Sequence, residues 1–228
     1  MPDREAGVAE SVKGVDISEE AVAHARQKYS KPNLEYSQGS ADAVPLGDAS
    51  VDVVVSFETI EHHDRHAEMM SEVKRVLRPG GVLVISSPDK LNYSDLPNTS
   101  NPFHVKELYR EEFYALVKGH FANVEMLSQR VVYGSLVAPV RGARGFLEYA
   151  GNFDEVRASG ELRRPTYNLC VASDVALPQV PVSLYDGWRV FEAALEDARR
   201  RGENAVTESR AYRVGRALTW PARKLLRR

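Results

Sequence analysis

Apolar positions in the first ninety residues alternate between continuous runs and helical stripes. Val12 to Asp16 (VKGVD) is a short run closed by an acid, and Ser18-Glu19-Glu20 follows as a helix N-cap with acids in the first turn. Ala21, Val22 and Ala25 recur at helical spacing as far as Tyr29, and Pro32 stops the helix. Leu34 to Gln38 reads as a strand broken at Gly39. Val51 to Phe57 (VDVVVSF) is apolar on both faces, which predicts a buried interior strand and not an edge. His66 to Leu77 places Met69, Met70, Val73, Val76 and Leu77 on one stripe of a helix. Arg78-Pro79-Gly80-Gly81 ends that helix, and Val82 to Ser87 is another buried strand.

Further along, Lys106 to Val117 predicts a helix with an acidic turn at Glu111-Glu112. Val124 to Val132 and Tyr167 to Ala172 read as strands, and Trp188 to Arg200 as a helix. Residues 134–165 are rich in Gly, Arg and Ala without a period, which predicts a loop or short helices. No repeat or low-complexity tract interrupts the order. Strand and helix alternating every ~20–30 residues predict an α/β fold with right-handed crossovers. The sheet should be mainly parallel and Rossmann-like, with helices on both faces. Residues 1–176 carry this domain, and 177–228 a C-terminal helix and basic tail. Ligands in such sheets sit beyond the carboxyl ends of the strands, so the chemistry belongs just after Asp16, Gln38, Phe57 and Ser87.

Composition narrows the choice of partners. The 228 residues are 43% hydrophobic and 27% charged, which excludes a wholly disordered chain. Lys plus Arg number 30 and Asp plus Glu 32, a net charge of −2, so a nucleic-acid grip built on bulk positive charge is not expected. The balance hides a gradient: Arg199 to Arg228 holds ten basic residues and two acids, a local +8 that leaves −10 on the rest. With Val214, Leu218, Trp220, Leu225 and Leu226 interleaved, that tail suits docking to an anionic membrane or to a glycosyltransferase partner. A solvated helix plus linker is the plainer reading. A single cysteine, Cys170, can form neither an internal disulfide nor a thiolate cage. No apolar run reaches the ~20 residues of a membrane span, and Met1 to Glu5 lacks a signal-peptide core. The expectation is a cytoplasmic protein.

Asp16 at a strand end can accept two hydrogen bonds from a ribose diol, or simply cap the following helix. The motifs around it are more telling as an ordered set. GVDIS at 14–18 is followed by Gly39 to Leu46 (GSADAVPL), then VDVVVS at 51–56, then KRVLRPGG at 74–81 feeding VLVISSP. From about Val12 to Gln129 this set resembles a class I S-adenosylmethionine-dependent methyltransferase of the small-molecule group. The resemblance implies S-adenosyl-L-methionine as cofactor, with Asp16 on the ribose hydroxyls and Ile17 against the adenine. Ser40 and Ala41 would border the adenine edge; an acid is common where this chain has Ser40, so adenine recognition would rest on backbone groups or on Asp42, and Phe57 would line the site. One departure stands out. That family's Gly-rich loop lies about 20 residues before the acid, whereas only 15 residues precede Asp16, and Ala6 to Val12 read as the end of the helix that should follow the loop. The first strand and its loop are therefore expected to be missing, through truncation or with the gap closed by a partner or a rearrangement.

Glu58, Glu61 and His62 lie at i, i+3 and i+4, so one helical turn would align two carboxylates and an imidazole, a set suited to a divalent ion. The run resembles the Glu-x-x-Glu-His of metal-dependent O-methyltransferases of the ubiquinone pathway and of the plant small-RNA terminal 2′-O-methyltransferase. By that resemblance His104, just before the Arg110-Glu111-Glu112-Phe113 helix, is the fourth ligand. Without an ion, Glu-His merely shapes the cofactor pocket, and His62 or His104 serves as general base. Asn101 to Leu108, with Val171 to Asp174, resembles methyltransferases of lipopolysaccharide and surface-glycan assembly. That implies a small-molecule or glycan substrate methylated on a sugar hydroxyl. The alternatives are a quinone-like aromatic acceptor, or a catalytically dead methyltransferase-like scaffold in a glycan-assembly complex.

Overall fold

The structure is a computed structural model that describes residues 9–131, 145, 147–151, 156–180, 182, 188–212 and 214. It divides into two compact units, Met1–Val180 and Pro181–Arg228.

In the first unit β1 (Val12–Asp16), α1 (Glu19–Lys28) and β2 (Leu34–Gln38) form a βαβ crossover whose strands pair in parallel, Val12 opposite Leu34 and Asp16 opposite Gln38. Ser18 Oγ accepts from Ala21 N as the N-cap, and Arg26 of α1 donates two bonds to Tyr36 O, fastening the helix to β2. Gly14 is required by packing: a Cβ there would come within 2.5 Å of the Tyr36 ring.

The larger sheet has the order β3-β4-β8-β5, from β3 (Val51–Ser56), β4 (Leu77–Pro88), β8 (Tyr167–Ser173) and β5 (Asn123–Gln129). β3 and β4 are parallel, while β8 runs antiparallel to both β4 and β5. The sheet is thus mixed, its parallel half carrying the expected ligand end. Leu83 and Ile85 of β4 lie opposite Ala172 and Cys170 of β8, all four fully buried on one face. They pack with Met69, Met70 and Val73 of α2 (His66–Val76) and Phe113 and Val117 of α3 (Arg110–Lys118). The stripe expected on α2 is the one that is buried. Burying each such side chain contributes ~1.5–3 kcal/mol. Burial pushes the Cys170 thiol up to about 12.

Several expectations are corrected. β3 is an edge strand, with Val53 and Val55 more than half exposed at 54% and 58%. Its valine run implies burial on both faces, but among the described residues no strand pairs with its outer side, and β1-β2 forms a separate sheet. Ala9 to Ser11 is not helical, and the remainder of the helix end expected over Ala6 to Val12 lies outside the described residues or within β1. α3 starts at Arg110, not Lys106, because Val105 N and Lys106 N donate to Glu61 O; Tyr109 N then donates to Glu112 Oε2 as the helix opens. Between 134 and 165 the structure holds a hairpin of β6 (Glu148–Gly151) and β7 (Val156–Ser159), four residues each and too short to show a period.

The second unit contains α4 (Trp188–Glu208), a longer helix than expected, with exposed ion pairs Arg199–Glu203 and Arg200–Asp197 along it. Of the basic tail, Leu218, Trp220, Leu225 and Leu226 lie outside the described residues. No helix among the described residues is long and apolar enough to cross a membrane.

Candidate functional site

The carboxyl ends of β1, β2 and β3 present Asp16-Ile17, Gly39-Ser40-Ala41 and Phe57-Glu58. Asp16 Oδ1 accepts from Ser18 N at 2.8 Å, so the capping role is realised; Oδ2 has no partner among the described residues and the side chain is exposed. Gln38 Nε2 donates to Ile17 O, which fixes the turn beside it, and leaves the Ile17 side chain 72% exposed. Phe57 is also exposed. An exposed apolar side chain next to a carboxylate with a free oxygen, with a second at the end of β3, suits a nucleoside: a hydrophobic rest for a base and an acceptor for a sugar diol. Asp42 is turned elsewhere. Ser40 Oγ donates to it and Arg65 pairs with it, and together they hold its carboxyl below the usual range. Ala41 packs against the core.

Arg75 of α2 fixes the loop beyond. Its guanidinium donates to Val44 O, Leu46 O, Asp48 and both Glu72 oxygens at 2.7–2.9 Å, and Glu72 Oε2 accepts from Val44 N. The same contacts hold Glu72 ionised well into acid and raise Arg75 further.

After β3 the chain turns through Glu58 in the left-handed region, φ 50°, unusual for a side chain other than glycine. Glu58 N donates to Ser86 Oγ at 3.1 Å and Ser86 Oγ donates to Glu58 Oε1 at 2.6 Å, a reciprocal pair that holds the turn. A 3-10 turn, Ile60–His62, follows. The single helical face expected for Glu58, Glu61 and His62 therefore does not form, because Glu58 precedes the turn and is committed to Ser86.

The structure instead brings together Glu61, His62 and His104, with one ligand atom from each within 4.8 Å of the others. Glu61 is 1% exposed; its Oε1 is 3.8 Å from His62 Nε2 and 4.0 Å from His104 Nε2, and its Oε2 has no partner. Burial, the largest cause, and the neighbouring Glu58 carboxylate push Glu61 upward; burial also raises Glu58, with Ser86 opposing. His62 Nδ1 lies 2.9 Å from Phe103 O, an acceptor only, so Nδ1 carries the proton and Nε2 is left with its lone pair. His104 Nδ1 lies 2.5 Å from Glu107 Oε1 and donates to it likewise. Asn101 Oδ1 accepts from Phe103 N, which orients the amide so that its Nδ2 donates to His104 Nε2 at 2.9 Å. His63, Asp64 and His66 form the polar approach to α2, where His66 Nε2 bonds His63 O.

Sequence reasoning passed over four residues here. Glu107 orients His104 and is three residues beyond it, a spacing that is visible in the chain. Asn101 satisfies the other imidazole nitrogen. Tyr93 stacks on His104 with ring centroids 5.4 Å apart, and Tyr167 lies 6.0 Å from Tyr93, its hydroxyl raised by burial and by Glu58. Neither tyrosine had a sequence signal, since β8 and the π-helical turn Leu91–Asp95 meet only in the fold.

Residues 3–85 match the family model described as a methyltransferase domain. A probable S-adenosylmethionine-dependent methyltransferase of Mycolicibacterium smegmatis is 45% identical over 114 residues, 50% of this chain and 44% of that protein. A demethylmenaquinone methyltransferase of Chlorobaculum parvum is 40% identical over 77 residues, 34% of this chain and 31% of that protein. The chain thus spans less than half the length of these relatives. Among solved structures, an S-adenosylmethionine-dependent methyltransferase of Thermotoga maritima, titled a possible histamine N-methyltransferase, superposes with a TM-score of 0.52 at 19% identity, covering 72% of each chain. The match in sequence lies over the strand ends that bear Asp16, Ile17 and Phe57. Residues 3–85 thus carry a methyltransferase domain similar in sequence to S-adenosylmethionine-dependent methyltransferases, and the fold is the one such enzymes share.

Proposed function

We propose that the protein transfers a methyl group from S-adenosylmethionine to a hydroxyl oxygen of a saccharide, as on an intermediate of lipopolysaccharide or surface-glycan assembly. The observation that carries an oxygen acceptor is the Glu61–His62–His104 cluster, a buried carboxylate beside a half-buried and an exposed imidazole, placed where β3 and β4 end. S-adenosylmethionine, when bound, supplies an electrophilic methyl group on a sulfonium. Asp16 would hold its ribose through the unpartnered Oδ2, with Ile17 and Phe57 against the base.

This cluster, the floor of the acceptor site, takes the proton. His104 Nε2 accepts it from the hydroxyl in place of the Asn101 amide, and Glu107 on Nδ1 stabilises the resulting charge. The acceptor oxygen forms its bond to the methyl carbon as the carbon–sulfur bond breaks, and the electron pair of that bond stays on sulfur, leaving S-adenosylhomocysteine. Positioning carries most of the acceleration because the methyl donor is already activated.

The same cluster fits a divalent ion. Glu61 Oε2 is an orphaned, buried anion, and His62 Nε2 is presented by a Phe103 carbonyl bond of the kind that orients imidazole ligands. Glu61, His62 and His104 would hold the ion, which would acidify a bound hydroxyl. Glu58 is left out of the set, being committed to Ser86. The two roles compete for His104 Nε2.

A quinone-like aromatic acceptor is the second reading, favoured by the relative named a demethylmenaquinone methyltransferase and by the Tyr93–Tyr167 wall. Calorimetric titration with S-adenosylhomocysteine tests the shared core of both readings. Binding by the parent, weakened tenfold or more in Asp16→Ala through loss of a charged hydrogen bond of ~1.5–3 kcal/mol, is expected. No binding up to millimolar concentration would favour the scaffold alternative and overturn the proposal.

A further inference from the structure

Segments bonded to the polar floor carry exposed apolar side chains: Leu91 at 45%, Leu96 at 64%, Phe103 at 76% and Val105 at 63%. Their backbone is fixed to the floor itself. Phe103 O is bonded by His62, Val105 N donates to Glu61 O at 2.8 Å, and Leu91 and Leu96 bracket the turn that carries Tyr93. That turn is closed at its base by Lys90 N donating to Leu108 O, and at its side by Tyr109, which bonds both Lys90 and Asp95. The backbone that carries these side chains is therefore held by hydrogen bonds. Exposed hydrophobic side chains beside a polar cluster leave apolar area that a wholly polar sugar would not cover.

We infer that the acceptor is amphipathic: a neutral, hydroxyl-bearing head that enters the floor, joined to a hydrocarbon chain that lies over Phe103, Val105 and Leu96. The head is neutral because the carboxylates of Glu58, Glu61 and Glu107 stand in the floor, while Asp95 at its edge is already paired with Lys90 at 3.7 Å. A phosphate or carboxylate head would meet like charge there. The inference rests on the acceptor site proposed above and specifies its class of substrate, a lipid-linked polyol in preference to a free sugar.

The test measures binding of octyl β-glucoside below its micellar concentration, of glucose, and of an octyl tetraethylene glycol ether that has the chain without the sugar. All 228 residues are used, and S-adenosylhomocysteine affinity is determined on the same samples. The alkyl glucoside is expected to bind at least tenfold tighter than glucose, which burial of about two methylenes supplies, and tighter than the ether. Phe103→Ser with Val105→Ser, in a variant whose circular dichroism and melting match the parent, should lose that tenfold. Equal affinity for glucoside and glucose, equal affinity for glucoside and ether, or a variant that keeps the preference overturns the inference. Loss of S-adenosylhomocysteine binding alone would instead overturn the methyl-transfer reading, so the two failures are distinguishable.

Discussion

Replacing Glu61 with glutamine removes one buried negative charge and keeps the shape of the side chain. In the parent, Oε2 is 1% exposed and orphaned, and Oε1 reaches only two imidazole nitrogens at 3.8 and 4.0 Å. An unsatisfied buried acceptor costs ~1–3 kcal/mol, more when charged. A neutral amide lowers that cost, and its NH2 group faces the lone pair on His62 Nε2. For a chain of this size each kcal/mol moves Tm by ~2–4 °C, so Glu61→Gln should melt several degrees above the parent at neutral pH in the presence of a chelator. The sign of the pH dependence follows from the raised carboxyl. A group whose folded pKa lies above the ordinary 4.5 contributes stability that is present below that value and lost as pH rises through the folded one. The advantage of glutamine should therefore be small near pH 4 and grow toward neutrality. Divalent manganese should reverse the order: the parent gains ~2.7 kcal/mol at a hundredfold excess over Kd, and the glutamine variant gains little. Scanning calorimetry at several pH values, with chelator or with metal, reads all three. A glutamine variant that melts below the parent in chelator would mean that the carboxylate is already satisfied, and would refute the reasoning.

Other outcomes follow from particular contacts. Glu107→Gln should lower kcat by about 10–100-fold, as loss of an imidazole-orienting partner does, while the KM for S-adenosylmethionine stays within twofold; steady-state kinetics separate the two. Phe113→Ala empties a fully buried position between α3 and the sheet and should cost ~3–5 kcal/mol in urea unfolding. Arg75→Ala frees the loop from Val44 to Asp48 and should lower the urea midpoint, with a faster S-adenosylhomocysteine off-rate seen in stopped-flow fluorescence. Arg75→Lys should restore little of either, since a single ammonium cannot reach the four groups that the guanidinium fork bonds.

Much of the fold was legible because its signals are local. The Ser18 cap, the α2 stripe and the valine and leucine runs each depend on neighbours a few residues away, and the expected strand and helix centres are where the elements lie. Edge or interior status is not local. Val53 and Val55 read as buried because valine on both faces normally means a covered strand, yet what lies beside β3 is decided by the sheet order. The site divides in the same way. Asp16, Ile17, Glu61, His62 and His104 could be picked out from motif order, and the structure gathers the last three. Glu58 was misplaced because helical spacing was assumed where the backbone takes a positive φ. Tyr93 and Tyr167 were invisible because 74 positions of chain separate two rings that the antiparallel β8 brings together.

Cys170 offers a built-in clock for opening of the molecule. As the chain's single thiol, with its protonated form held to about pH 12 and its sulfur seated beside Met126 in the middle of the mixed sheet, it cannot meet an alkylating reagent while β8 is flanked by β4 and β5. Its rate of modification therefore counts excursions in which the strands part, without any label having to be engineered in.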